Sequence, residues 1–112
     1  MAAYSELFVE QYADYTTKIN VDDLQGDAIN LTGYSASSQV RKSYYSTTAY
    51  EFTANISDPV TGEITLSMPA ANTANMSPGR YVYDLKITDP EDVITRVVEG
   101  IVVVSPGVTR NG

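Results

Sequence analysis

From Ser77 to Val104 the chain reads SPGRYVYDLKITDPEDVITRVVEGIVVV, which is a turn, a strand, a tight turn and a second long strand. Tyr81, Tyr83, Leu85 and Ile87 alternate with Val82, Asp84, Lys86 and Thr88, and strict alternation over such a length belongs to a half-buried β-strand rather than a helix. Asp89-Pro90-Glu91-Asp92 supplies turn chemistry between the two strands. A chain that commits a quarter of its length to this pattern is constrained to an all-β fold.

The same period recurs upstream. Tyr15, Thr17, Ile19 and Val21 share one face, as do Tyr34, Ala36, Ser38 and Val40 after the turn residues Thr32 and Gly33. Tyr50, Phe52, Ala54 and Ile56 form a third set, and Ile64, Leu66 and Met68 a fourth. The two are joined by Asp58-Pro59-Val60-Thr61-Gly62, in which Pro fixes φ and Gly is free to take positive values. With an N-terminal strand over Glu6 to Tyr12 the total is about seven, and the expected fold is an immunoglobulin-like antiparallel β-sandwich. Ala-rich Pro69 to Met76 breaks the alternation and predicts a short helical crossover. Gly79 followed by Tyr81-Val82-Tyr83 predicts a tyrosine corner, in which a phenol reaches back to upstream backbone.

Two features of the last strand set it apart. Glu99-Gly100 has the character of a β-bulge. Ile101 to Val104 then places β-branched residues on both faces, which suits a central strand or an outer face that meets another chain. Ile101 and Val103 are the candidate subunit contacts. Residues 1–104 are expected to form one domain, and Pro106 ends pairing so that 105–112 form an extended tail.

Composition narrows function by exclusion. The 112 residues suit one core that hides about 65% of the unfolded surface. Seven Lys and Arg against 14 Asp and Glu give a net charge of -7, which opposes a nucleic-acid partner. There is no Cys, hence no disulfide or thiolate metal site, and no His, which removes the usual general base, the common triads and most zinc sites. No enzymatic activity and no cofactor are expected. Asp22, Asp23 and Asp27 crowd one loop and Asp89, Glu91 and Asp92 another. Neither matches the EF-hand spacing, and turn formation is favoured over calcium binding. The N-terminus has acids where a secretory signal has basic residues, and no run reaches membrane-spanning length, so no membrane association is expected.

Arg41-Lys42-Ser43-Tyr44-Tyr45-Ser46-Thr47-Thr48 is the most basic and aromatic stretch. Tyrosines set among Ser and Thr are typical of adaptable recognition surfaces, so Arg41, Tyr44, Tyr45 and Tyr50 are candidate contacts for a protein partner or a glycan.

The order Asn30-Leu31-Thr32-Gly33-Tyr34, Gln39-Val40-Arg41, Gly62-Glu63-Ile64-Thr65-Leu66, Pro78-Gly79-Arg80-Tyr81-Val82-Tyr83-Asp84-Leu85 and Glu99-Gly100-Ile101-Val102-Val103-Val104-Ser105-Pro106 resembles a small β-sandwich module of tailed bacteriophages. The pattern is similar to short virion structural proteins of contractile-tailed phages of marine cyanobacteria, and more distantly to the N-terminal domain of the upper baseplate protein of lactococcal phages. The resemblance implies a non-enzymatic accessory subunit on the particle exterior, made in the host cytoplasm. Its post would be capsid decoration, or a place in the neck, tail or baseplate. It further implies contacts with other virion proteins and assembly in many copies or as a homo-oligomer. The alternative from the residues alone is a carbohydrate-binding sandwich that uses the exposed tyrosines.

Overall fold

The computed structural model describes residues 3–21 and 29–108. Seven strands follow in the order β1 (Ala3–Glu10), β2 (Tyr15–Asn20), β3 (Ser35–Arg41), β4 (Tyr50–Asp58), β5 (Glu63–Met68), β6 (Gly79–Thr88) and β7 (Ile94–Ser105). One short helix, α1 (Ala70–Thr73), crosses between β5 and β6. Hydrogen bonding runs β1-β7-β6-β3-β4-β5-β2, and this ribbon curls on itself into a nearly closed, sandwich-like all-β barrel.

β4 makes the corner. Tyr50, Glu51 and Phe52 pair with Val40, Gln39 and Ser38 of β3, whereas Thr53 to Ile56 pair with β5, so one strand serves both layers. The larger layer is therefore β1, β7, β6, β3 and the first part of β4. The smaller is the rest of β4 with β5 and β2.

The core lies between the layers and is built from the alternating residues of each strand. Leu31, Val40, Ile64, Leu66, Leu85 and Val102 are fully buried, and burial of each stabilises the fold by about 1.5–3 kcal/mol. Phe52 sits among tyrosines, with ring centroids 5.6 Å from Tyr15 and 6.3 Å from Tyr83, the latter edge-on. Ser38 and Thr73 are buried polar residues, and both are satisfied. Ser38 Oγ donates to the Asp84 carbonyl at 2.5 Å and Thr73 Oγ1 to the Ala13 carbonyl at 2.9 Å.

The tyrosine corner is present. Tyr81 is buried and its hydroxyl donates to the Ser77 carbonyl at 2.7 Å, pinning the end of the crossover to the first turn of β6. Both predicted turns also form. Gly62 closes the β4–β5 turn at φ 74°, and Asp89 Oδ1 accepts from the backbone N–H of Glu91 at 2.8 Å and of Val93 at 2.9 Å.

Three expectations require correction. The sandwich is not wholly antiparallel, because β1 runs parallel to β7, from Ala3 opposite Val98 to Glu10 opposite Ser105. The first strand is Ala3–Glu10 rather than Glu6 to Tyr12, since Tyr12 sits at φ 69° in the turn that follows. The bulge is not at Glu99-Gly100. Leu85 pairs with Val98 and Lys86 with Arg96, so Val97 is the extra residue, and Gly100 pairs in register with Tyr83. Strand pairing ends at Ser105, before Pro106, and the residues that follow stay close to the β1–β2 turn, where Gln11 N–H donates to the Ser105 carbonyl at 2.9 Å and Gly107 N–H to Gln11 Oε1 at 3.3 Å.

Pro69 precedes α1 and cannot cap it by a side-chain bond. Asp14, in the β1–β2 turn, does so instead, its Oδ1 accepting the Ala70 N–H at 2.7 Å. Asp14→Ala is expected to lower stability by about 1 kcal/mol, read from urea unfolding, because it leaves a helix N-terminus without its acceptor. An unchanged midpoint would show that water replaces the cap at no cost.

Candidate functional site

The outer face of the larger layer carries most of the residues singled out from the sequence, and β register places them. In β7, Val98, Gly100, Val102 and Val104 turn inward and are buried, so Glu99, Ile101 and Val103 turn outward, half-buried. In β1, Leu7 and Val9 are buried, and Tyr4, Glu6, Phe8 and Glu10 form the outer phase. Phe8 lies opposite Val103, and Glu6 opposite Ile101. On the other side of β7, Arg80 lies opposite Val103 and Val82 opposite Ile101. The rows therefore read Phe8–Val103–Arg80 and Glu6–Ile101–Val82–Arg41.

This arrangement answers why β7 abandons alternation. The strand is an interior one of its layer, flanked by β1 and β6. Its outward Ile101 and Val103 are only half covered by the side chains beside them. Phe8 extends the apolar surface to the sheet edge, where it is 65% exposed, and Tyr4 is 63% exposed on the same strand. Val82, Ile101, Val103 and Phe8 together form an apolar stripe, set by the register, on a face that is otherwise largely polar. Phe8 was missed in the sequence, although its signal is legible: a large apolar residue in the polar phase of an alternating strand, between Glu6 and Glu10.

The other half of the face is polar. Glu51, Gln39, Asp84 and Glu99 form a row across β4, β3, β6 and β7, with Ser37, Lys86 and Arg96 beneath it. Arg96 bridges the two carboxylates that the register sets side by side, its Nε 3.5 Å from Asp84 Oδ2 and its Nη1 3.6 Å from Glu99 Oε2. Arg41 Nη1 donates to the Ser46 carbonyl at 2.6 Å and Nη2 to Gln39 Oε1 at 2.9 Å, which fixes the β3–β4 loop above the row. These side chains and Tyr44 line an open concavity of about 610 Å³.

The four residues of the proposed tyrosine surface part company. Arg41 and Tyr44 line the concavity, Tyr44 being 65% exposed. Tyr45 is 96% exposed beside it and does not line it. Tyr50 is engaged in the fold. Its ring meets Tyr81 edge-on at 6.1 Å between centroids, and its hydroxyl donates to the Asn75 carbonyl at 3.2 Å. Lys42, also from this stretch, places its Nζ 4.7 Å from the centroid of the Tyr81 ring.

Among the described residues there is no cluster of three or more His, Cys, Asp or Glu suited to a metal ion, and no helix long and apolar enough to cross a membrane. Asp89 is used by backbone donors in its turn. Asp22, Asp23 and Asp27 lie outside the described residues.

No protein-family profile matches the chain, and no curated protein does. Among solved structures, it is similar to part of an internalin-like protein of Listeria monocytogenes, with 13% identity and a TM-score of 0.46. The likeness covers 95% of this chain and 28% of that one.

Proposed function

We propose that the chain is a non-enzymatic structural subunit on the exterior of a bacteriophage particle, seated against another virion protein through the outer face of β1, β7 and β6. The observation that carries this reading is the apolar stripe of Phe8, Val103, Ile101 and Val82, two of whose members sit on β7, an interior strand of the layer. Apolar side chains that remain partly in water on a sheet face gain about 25 cal/mol for each Å² a neighbour covers. A rigid sandwich face with such a stripe suits assembly in many copies. The resemblance of the chain to cyanophage virion proteins supports the same reading, and a net charge of -7 keeps free subunits apart until the stripe engages.

The test is the double variant Ile101→Lys, Val103→Lys. Lysine stems can lie along the sheet with their ammonium groups in water, so the domain should fold with a urea midpoint close to that of the parent. Incorporation into purified particles, counted by mass spectrometry, should fall at least about tenfold. Unchanged incorporation would overturn the proposal. In the parent, hundreds of copies per particle would place the subunit on the capsid, and a handful in the neck, tail or baseplate.

A further inference from the structure

The concavity on the β3–β6 half of the outer face has a chemistry distinct from the stripe beside it. Its charged lining consists of Arg41, Lys86 and Arg96 against Glu51, Asp84 and Glu99, three of each sign, so the site is locally neutral on a chain of net charge -7. The charges are interleaved rather than segregated. Arg96 stands between Asp84 and Glu99, and Gln39 lies between Glu51 and Asp84 across the strands. An anionic ligand would meet a carboxylate wherever it met a guanidinium, and a cationic one would meet the reverse. A ligand dense in hydroxyls suffers neither penalty, because each hydroxyl donates to a carboxylate while accepting from a neighbouring guanidinium or amide.

Two further features point the same way. Tyr44 stands at the margin of the concavity with most of its surface in water, offering an aromatic plane of the kind that stacks against the C–H face of a pyranose. Gln39 is oriented in advance. Its carbonyl oxygen accepts from Arg41 Nη2, which leaves the amide NH₂ to donate, and Arg41 is itself held by the Ser46 carbonyl. The volume of about 610 Å³ falls in the range of small-molecule sites, roughly 300–1,000 Å³.

We propose that this concavity binds a short neutral oligosaccharide, with Tyr44 as the stacking surface and Gln39, Arg41, Asp84, Arg96 and Glu99 as its hydrogen-bonding partners. The site adjoins the apolar stripe, with Val82 common to both, and does not depend on the assembly role proposed for the stripe, so either can fail alone. Binding should be weak and rapidly reversible, since the concavity is shallow and open on one side.

The experiment is a titration of the isotopically labelled chain, followed by amide NMR shifts, with maltotriose, chitotriose, lactose and the anionic trisaccharide sialyllactose as probes. At least one neutral probe should shift amides in residues 37–44, 82–86 and 96–99, saturating at millimolar concentration. Tyr44→Ala, whose exposed loop position leaves the rest of the spectrum in place, should weaken that probe about tenfold. The proposal is overturned if no neutral probe shifts these amides, if shifts fall elsewhere, if only sialyllactose binds, or if Tyr44→Ala binds as the parent does.

Discussion

Gly100→Ala is expected to lower stability by about 3 kcal/mol and to dislodge β1 from the sheet. A methyl group built on Gly100 would lie 1.9 Å from the Ser5 carbonyl oxygen and 2.9 Å from the Ser5 carbonyl carbon. These are backbone atoms of β1, the parallel neighbour, so no rotamer change relieves the collision and the strand itself must move. The same Ser5 oxygen accepts the Tyr83 hydroxyl at 2.9 Å, a bond that ties β6 across β7 to β1. Displacing Ser5 therefore breaks a partly buried hydrogen bond and loosens the seats of Leu7 and Val9 at once. The loss of chain entropy that Ala brings to the unfolded state stabilises by only about 0.4–1 kcal/mol, too little to offset this.

Urea unfolding would show the midpoint falling by roughly 1–3 M, and hydrogen exchange would show protection lost first along β1. Tyr83→Phe gives the matching control. Alone it should cost about 1 kcal/mol, but in the Gly100→Ala background it should cost much less, because the acceptor has already moved. Additive losses, or a Gly100→Ala midpoint equal to that of the parent, would mean that β1 is held by something other than this contact.

This glycine also shows what the linear sequence discloses and what it withholds. Alternation revealed the inward face of β2 to β6, because period two is a local property of each strand, and the turns at Asp58 to Gly62 and Asp89 to Asp92 announced themselves by residue type. The tyrosine corner was legible from the glycine and two tyrosines at the start of β6, since its bond spans only four residues. Strand pairing was not legible, because alternation assigns faces and says nothing of neighbours. Gly100 looked like a bulge residue for that reason. Its small size answers to Ser5, which is distant in sequence and adjacent only once β1 lies parallel to β7. The Asp14 cap on α1, 56 residues away, was hidden in the same way.

The candidate site divides along the same line. Ile101 and Val103 could be singled out because their anomaly lies within one strand, and Tyr44 because its loop is rich in Tyr, Ser and Thr. Asp84, Arg96 and Glu99 gave no signal. Each is an ordinary charged residue in the outward phase of its strand, and they acquire a common chemistry only through the β6–β7 register and the bulge at Val97 that turns Arg96 toward both carboxylates. Tyr50 is a different case, since its place at the start of β4 leaves it half-buried with its ring edge-on to Tyr81, a contact its sequence neighbours do not announce.

The steepest dependence of stability on conditions is expected on the alkaline side. Burial holds the Tyr15, Tyr81 and Tyr83 hydroxyls above the ordinary tyrosine pKa of 10.0. The neighbouring phenol of Tyr50 raises Tyr81 further, and those of Tyr15 and Tyr4 do the same for Tyr83. Above about pH 10 the unfolded chain therefore releases these protons while the folded chain retains them. Fewer protons are bound in the unfolded state, so stability is complete below that pH and falls as pH rises toward the folded pKa values. Each tyrosine contributes to the decline only over the interval between its unfolded and its folded pKa. With no His in the chain, no imidazole transition precedes this loss between about pH 6 and 8. Urea unfolding from about pH 8 to 11 should give a plateau followed by a steep decline, coincident with the absorbance of tyrosinate. Tyr81→Phe should start from a lower plateau, because the Ser77 bond is lost, and then decline about one third less steeply, because one proton has left the linkage. A profile that is flat to about pH 11, or a slope that Tyr81→Phe leaves unchanged, would show that these phenols are not held protonated by the fold.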